Sequence, residues 1–139
     1  MYYIFESILV GIYSGVIAII LSFVLHNYYY LLFLTGFIKH VGGYYLNIHT
    51  YYCNYGDACT RTHSIVSSNN ILISTNKPIQ LIFESIIEGI AYVVCGFICS
   101  FFIPNIYISV FIIGIAMHIL AELVGIHRFF CKNRCIRQI

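Results

Sequence analysis

The sequence predicts an all-α membrane protein with four transmembrane helices, arranged as two tandem, parallel helical-hairpin repeats offset by 78 residues. Composition is the first indication: 60% of the 139 residues are hydrophobic and only 9% are charged. A soluble domain carries about 25% charged residues, so this chain lacks the side chains for a water-facing surface. The second indication is that its apolar stretches have about 20 residues each, the length that crosses a lipid bilayer.

The third indication is an internal repeat. Pairing residues 1–61 with residues 79–139 without a gap gives 19 identities, whereas this composition would give about 5 by chance. The identities end in two Ile-His-x-x-x-Cys blocks, at Ile48–Cys53 and at Ile126–Cys131. Any site that the two halves build together is therefore expected to show pseudo-symmetry.

The predicted elements follow from these runs. The four expected spans are Ile4–Leu25, Tyr28–Ile48, Leu81–Ile103 and Ile106–Ile126. Short turns at His26-Asn27 and Pro104-Asn105 make each half a tight hairpin. The chain divides into a first hairpin repeat (1–50), a polar connecting loop (51–80), a second hairpin repeat (81–126) and a basic C-terminal tail (127–139). Within the loop, Ile71–Ile73 is compatible with a short strand.

Charge predicts the orientation. Because each repeat has two spans, both repeats enter the membrane from the same face. Both termini and the loop therefore lie on one side. Six of the seven basic residues lie on that side: Arg61, Lys77, Arg128, Lys132, Arg134 and Arg137. The positive-inside rule then predicts cytoplasmic termini. The net charge of +2 excludes nucleic-acid binding as a main role, but the basic tail suits anionic lipid or an acidic protein, at about 1 kcal/mol per surface Lys or Arg.

Three charges fall inside the predicted spans, namely Lys39, Glu88 and Glu122. Because intramembrane charges need partners, we expect Lys39 and Glu122 to form a buried ion pair that fixes helix register. A proton or ion relay through Glu88, Glu122 and the histidines is the functional alternative. Glu6 and Glu84 are expected in the first turns of their helices, where a carboxylate suits the helix dipole.

A second set of residues has metal-ligand chemistry. If the second and fourth spans continue, His49 and Cys53, and likewise His127 and Cys131, project from one helical face. Two imidazoles and two thiolates are the ligands of a tetrahedral structural zinc site. Two alternatives remain open: a Cys53–Cys131 disulfide, or simple packing with the histidines bonded to loops. Cys59 and Cys135 suggest an accessory bridge at the same end.

The deepest symmetric polar pair is His40 and His118. Interhelical hydrogen bonding is the ordinary role of such residues, and axial ligation of one haem is the alternative. His49 and His127 follow nine residues later, which on a regular helix is the opposite face. Two stacked haems in one four-helix core therefore do not fit a regular helix, and a single haem is less favoured than zinc as a cofactor.

The stretch Lys39–Cys59, K-H-V-G-G-Y-Y-L-N-I-H-T-Y-Y-C-N-Y-G-D-A-C, resembles segments of small, uncharacterised multi-pass membrane proteins of giant DNA viruses. The resemblance implies a viral protein located in a viral inner membrane or a host endomembrane. It implies nothing about mechanism.

These observations predict a non-enzymatic, multi-pass membrane protein that organises partners or lipid at the cytoplasmic face. No phosphate-binding loop, G-x-S-x-G, H-E-x-x-H or C-x-x-C motif is present in the sequence, so none of these motifs indicates an enzyme. The first alternative is a metal- or haem-binding membrane protein with redox or metal-handling activity. The second is a small transporter or channel formed as a homo-oligomer in the lipid bilayer.

Overall fold

The computed structural model describes residues 2–63, 71–73 and 78–137. Four long helices form a bundle: α1 (Tyr2–Ser22), α2 (Tyr28–Tyr45), α5 (Pro78–Ser100) and α6 (Ile106–Leu123). Three described segments are long and apolar enough to cross a membrane: Tyr3–Ser22, Pro78–Ser100 and Ile106–Leu123. Their outward faces expose Ile, Phe and Val side chains along the whole length, which suits contact with lipid. The chain is thus an all-helical bundle with membrane-like helices.

The predicted second span is the exception. Helix α2 has 18 residues, as many as α6. Its sequence is nevertheless too polar for it to count among the helices that are apolar enough to cross a membrane. Five tyrosines, Lys39 and His40 lower its hydropathy. Helix α2 is therefore less apolar than the predicted span Tyr28–Ile48 requires, although its length and its place in the bundle match those of α6.

The two hairpin turns lie where the sequence predicts them, and asparagine begins the next helix in both. The Asn27 side chain accepts hydrogen bonds from the backbone N–H groups of Tyr29 (3.0 Å) and Tyr30 (3.2 Å). The Asn105 side chain accepts the same two bonds from Tyr107 (2.9 Å) and Ile108 (3.2 Å). Each asparagine thereby satisfies N–H groups that a helix start leaves unpaired.

The helices pair mainly across the two halves, α1 with α6 and α2 with α5. Glycines permit both contacts. A Cβ atom on Gly114 would lie 2.9 Å from the Cα of Gly11, and one on Gly36 would lie 3.0 Å from the Cα of Gly89. Such small-residue contacts are the usual means of close packing between membrane helices. The centre of the bundle is filled by Ala18, Leu31, Leu32, Tyr92, Val110 and Ile113.

The second helix of each hairpin ends earlier than predicted because the backbone adopts a left-handed conformation after it. Asn47 has φ 57° and Gly125 has φ 80°, a conformation that asparagine and glycine tolerate best. The chain then starts new short helices, α3 (Ile48–Tyr55) and α7 (Ile126–Asn133). The predicted continuation of the second and fourth spans through Ile48 and Ile126 is therefore wrong.

The remaining elements complete a cap on one end of the bundle. Helix α4 (Asp57–His63) follows α3, and strand β1 (Ile71–Ile73) pairs antiparallel with β2 (Cys135–Arg137). We call α3, α4, α7 and the two strands the lid. The sequence is compatible with a short strand at Ile71–Ile73, and the structure has one there. The predicted polar loop also contains helices at its start. Residues 64–70 and 74–77, including the basic Lys77, lie outside the described residues.

Candidate functional site

Most Glu, Lys, Arg and His side chains among the described residues lie in the lid or in the half of the bundle nearest to it. They come from the first half of α1 and α5, from the second half of α2 and α6, and from the lid itself. They form two networks, one between α2 and α5 and one between α1 and α6, with a cluster of cysteines above them in the lid.

The Lys39 network, defined as Lys39, His40, Glu84, Glu88 and Arg134, lies between α2 and α5. The Lys39 ammonium donates to Glu88, whose second oxygen lies 2.7 Å from Nδ1 of His40. His40 Nε2 lies 3.3 Å from Glu84, which also accepts a bond from Arg134 at 3.3 Å. Glu84 and Glu88 thus lie within ion-pairing distance of Arg134 and Lys39 respectively, and His40 lies between the two carboxylates.

The His118 network, defined as Glu6, Tyr52, His118, Glu122 and His127, lies between α1 and α6. His118 Nε2 is 3.7 Å from Glu6, and His127 Nδ1 is 3.3 Å from Glu122. The two imidazole rings lie 4.4 Å apart. Within the described part of the chain, Glu6 Oε2, Tyr52 Oη and His118 Nε2 are buried without a hydrogen-bond partner. A buried polar atom without a hydrogen-bond partner lowers the stability of the folded protein.

Positions offset by 78 explain the difference between the two networks. Glu6 and His118 of one network correspond to Glu84 and His40 of the other, and His127 corresponds to His49, which lies beside His40. The charged residues Lys39, Glu88 and Arg134 have Met117, Val10 and Gly56 as counterparts, and Glu122 has Tyr44. The cations of the Lys39 network thus have no counterpart in the His118 network. Arg61, in the lid, is 64% exposed and pairs with Asp57.

The cysteine cluster holds the lid together. Disulfides join Cys53 to Cys135 and Cys59 to Cys131, with Cα–Cα distances of 5.6 and 5.1 Å. All four residues are buried, packed with Ala58, Tyr44, Tyr52 and Phe130. The two disulfides touch, since Cys59 Sγ lies 3.8 Å from Cys135 Sγ. Among the described cysteines, Cys95 and Cys99 of α5 are free, as suits small packing residues.

The residues of the predicted zinc site do not form one ligand shell. Cys53 and Cys131 are each bonded to another cysteine. His49 instead packs against His40 and Phe130, and His127 pairs with Glu122. The imidazoles thus turn towards the bundle and the sulfurs towards one another. The Cys53–Cys131 and Cys59–Cys135 pairings are also wrong, because Cys53 is bonded to Cys135 of β2 and Cys131 is bonded to Cys59 of α4.

Three further expectations about charged residues need correction. Lys39 pairs with Glu88 rather than Glu122, because α2 packs on α5 while Glu122 lies on α6. Glu6 and Glu84 lie beyond the first turns of α1 and α5. Glu6 instead accepts a 2.9 Å bond from the backbone N–H of Asp57, at the start of α4.

The predicted histidine pair is divided between the networks. Both ring nitrogens of His40 have carboxylate neighbours, and His118 stacks on Tyr3 and lies against His127. This arrangement offers no support for a shared haem. The expectation that His49 lies on the opposite face from His40 is also wrong, since the ring centroids are 4.9 Å apart. The left-handed break at Asn47 folds α3 back over α2.

The surroundings of His49 and His127 in the lid favour the neutral imidazole. Burial, together with the neighbouring His40, lowers the pKa of His49 to about 4. Burial also lowers the pKa of His127, although the hydrogen bond to Glu122 opposes the shift. Both imidazoles are therefore available as hydrogen-bond acceptors near pH 7.

Sequence reasoning missed two members of the site. Arg134, counted as part of a solvent-exposed basic tail, is buried and reaches Glu84 and Gln80. Tyr52, which lies against His118 and His127, was treated only as part of the loop. The signal for Tyr52 was present, because its counterpart in the repeat is another aromatic residue, Phe130.

Comparison with protein-family models, curated protein sequences and solved structures finds no match for this chain.

Proposed function

We propose that this chain is a four-span integral membrane protein of two tandem hairpin repeats, whose role is to organise lipid or partner proteins at one membrane face. Support comes from the element bounds: α2 and α6, and also α3 and α7, differ by 78 residues at both ends. The equivalent asparagine caps and glycine contacts support it too. The close-packed bundle centre, built from Leu32, Tyr92, Val110 and Ile113, suits a structural role better than passage of a solute.

The lid is the surface through which such a protein meets its partners. Helix α7 exposes Arg128 and Lys132 beside Phe129, and α3 exposes Tyr51 and Tyr55. Aromatic and cationic side chains together are typical of the membrane–water interface. Anionic headgroups would bind the two cations, and an acidic protein segment offers the same charge. The exposed Arg128 and Lys132 on the lid are the single observation that carries this proposal.

The proposed orientation places the lid and both termini in the cytoplasm. The exposed basic residues Arg61, Arg128 and Lys132 lie on the lid, whereas the two hairpin turns carry no Lys or Arg. The positive-inside rule assigns such a face to the cytoplasm. The resemblance to viral proteins makes a viral inner membrane or a host endomembrane the proposed location.

The test compares the wild type, R128A/K132A and the control variant N133A, which changes an exposed, uncharged residue of α7. Thermal unfolding is followed in micelles containing either phosphatidylserine or phosphatidylcholine. We expect phosphatidylserine to raise the unfolding temperature of the wild type and N133A, and salt to reduce this rise. R128A/K132A should lose the rise. An equal response in all three proteins, or no preference for phosphatidylserine, would contradict the proposal.

One observation favours a second candidate function, ion or proton transport. The His118 network holds two half-buried carboxylates, Glu6 and Glu122, and three buried polar atoms that have no hydrogen-bond partner among the described residues, and such groups commonly mark ion pathways. Flux into liposomes containing the wild type, lost in Glu122→Gln and retained in the exposed control Asn133→Ala, would support transport. Absence of flux in the wild-type protein would end this candidate.

A further inference from the structure

Three of the four lid cysteines form a cluster whose sulfur atoms are close enough together to hold one metal ion, and the fourth is bonded to a member of that cluster. Cys59, Cys131 and Cys135 present sulfur atoms that all lie within 4.8 Å of one another, and Cys53 is bonded to Cys135. The contact between the two disulfides, from Cys59 Sγ to Cys135 Sγ, measures 3.8 Å. Four sulfurs bound to zinc at about 2.3 Å are about 3.8 Å apart along each edge of the tetrahedron. The non-bonded contact therefore already has the length that zinc coordination requires.

The origin of the four cysteines in the chain and their burial also fit a structural metal site. Cys53 and Cys59 come from the first half of the chain, and Cys131 and Cys135 come from the second. All four are buried and pack against the aromatic side chains of Tyr44, Tyr52 and Phe130. Such a site has four protein ligands and no position for a substrate, as closed structural zinc sites do. A zinc ion here would join the two halves in the same way as the disulfides.

Arg134, the residue next to Cys135 in the sequence, carries a hydrogen-bond donor that suits a negatively charged zinc–thiolate cluster. The residue before Cys135 is Arg134, whose buried Nε has no hydrogen-bond partner in the described part of the chain. Four thiolates around Zn²⁺ carry a net charge of about −2, and such clusters are stabilised by hydrogen bonds from second-shell donors. Arg134 adjoins Cys135 in the sequence, and its unpartnered Nε–H is a donor of that kind.

The compartment decides which form the cysteines take. Disulfides are rare in the cytosol, where thiols are kept reduced. The proposed orientation places the lid there, so the reduced state of these cysteines rests on the proposed function, whereas the sulfur geometry does not. A cytoplasmic lid would contain four thiols at one buried point, and thiolates at such a point bind zinc in preference to harder cations.

We propose that, in the reduced protein, Cys53, Cys59, Cys131 and Cys135 bind one Zn²⁺ ion that replaces the two disulfides as the fastening of the lid. Two equivalents of a dithiol reductant transfer two electrons and two protons to each disulfide. The products are four protein thiols and two oxidised reductant molecules. Zn²⁺ then binds four thiolates, and four protons are released to solvent.

The test measures zinc bound to detergent-solubilised protein, expressed without a metal-binding tag. Protein reduced with a phosphine is incubated with Zn²⁺, desalted and assayed by elemental analysis. We expect about one zinc per chain in the reduced wild type and less than about 0.1 in the oxidised wild type. Co²⁺ in place of Zn²⁺ should give the absorption of a tetrahedral thiolate complex. A reduced wild type that binds no zinc would overturn the proposal, whatever the outcome of the lipid assay.

Variants assign the ligands. Cys59→Ser and Cys135→Ser should each lose zinc at least about tenfold, as loss of a metal ligand or of its support does. The matched control C95S/C99S changes the two cysteines of α5 and should retain full binding. H49A/H127A should also retain zinc, which separates this site from one that uses the two histidines. Full zinc binding in Cys59→Ser or Cys135→Ser, with a normal far-ultraviolet circular dichroism spectrum, would refute the four-cysteine site.

Discussion

Replacing Lys39 with methionine, the residue at the equivalent position 117, should destabilise the bundle. The Lys39 and Glu88 side chains are only 15% and 17% exposed. Removing one partner of a buried ion pair costs about 3–5 kcal/mol. Glu88 keeps its 2.7 Å contact with His40, which offsets part of that loss. We therefore expect the free energy of unfolding to fall by about 2–4 kcal/mol in Lys39→Met.

The repeat supplies a matched second variant. K39M/E88V installs the pair Met117 and Val10, which the other half already carries at these positions. Replacing both members of a buried pair by apolar residues is often neutral or stabilising, so the double variant should return to within about 1 kcal/mol of the wild type.

The assay is reversible unfolding in mixed detergent micelles containing a rising fraction of SDS, followed by circular dichroism. The double-mutant cycle compares the wild type, K39M, E88V and K39M/E88V. Additive losses, with the double variant less stable than either single variant, would refute the conclusion that Lys39 and Glu88 act as a unit.

Three further outcomes are expected. Gly114→Ala places a methyl group 2.9 Å from the Cα of Gly11 and should cost about 1–3 kcal/mol in the same unfolding assay, whereas Gly15→Ala, with no atom within 4 Å, should be tolerated. Because the pKa of His49 falls from 6.5 to about 4 on folding, the unfolded chain binds the extra proton between these values. Stability should therefore decline as the pH drops from about 6.5 towards 4, and His49→Gln should show a smaller decline. In air-oxidised protein, peptide mass mapping should recover the linkages Cys53–Cys135 and Cys59–Cys131, and a Cys53–Cys131 peptide would contradict the lid structure.

Sequence patterns contained most of the information needed for the long helices. Apolar runs of spanning length and the short turns between them predict α1, α5 and α6 almost to their ends, because lipid-facing helices need continuous hydrophobicity. The asparagines at positions 27 and 105 identify the start of α2 and α6 for the same local reason that makes them good caps. Helix α2 follows the same pattern less clearly, since its tyrosines dilute the apolar signal.

Backbone breaks were harder to foresee than helices. A regular helix through Asn47 and Gly125 would carry the Ile-His-x-x-x-Cys blocks straight on, and that assumption misplaced His49 relative to His40. The residues at the breaks are the only local signal, because asparagine and glycine adopt the left-handed conformation most readily.

Tertiary partners were the least predictable part of the site. Glycines in each long helix indicate faces of close packing, but they do not say that α2 joins α5 rather than α6. The partner of Lys39 depends on that choice. The cysteine pairing depends on where α4 and β2 deliver Cys59 and Cys135, and spacing alone cannot determine connectivity.

Topology mapping tests the four-span account most directly, because α2, among the described long helices, has too low a hydropathy to count as a candidate span. A side-specific reporter is inserted, in separate proteins, after His26, within residues 64–70, after Pro104 and after Ile139. The account predicts that the central segment and the C-terminal reporter lie on the cytoplasmic side and both hairpin turns on the other. A central segment on the same side as the first turn would show that α2 does not cross the membrane, and would contradict the tandem-hairpin arrangement.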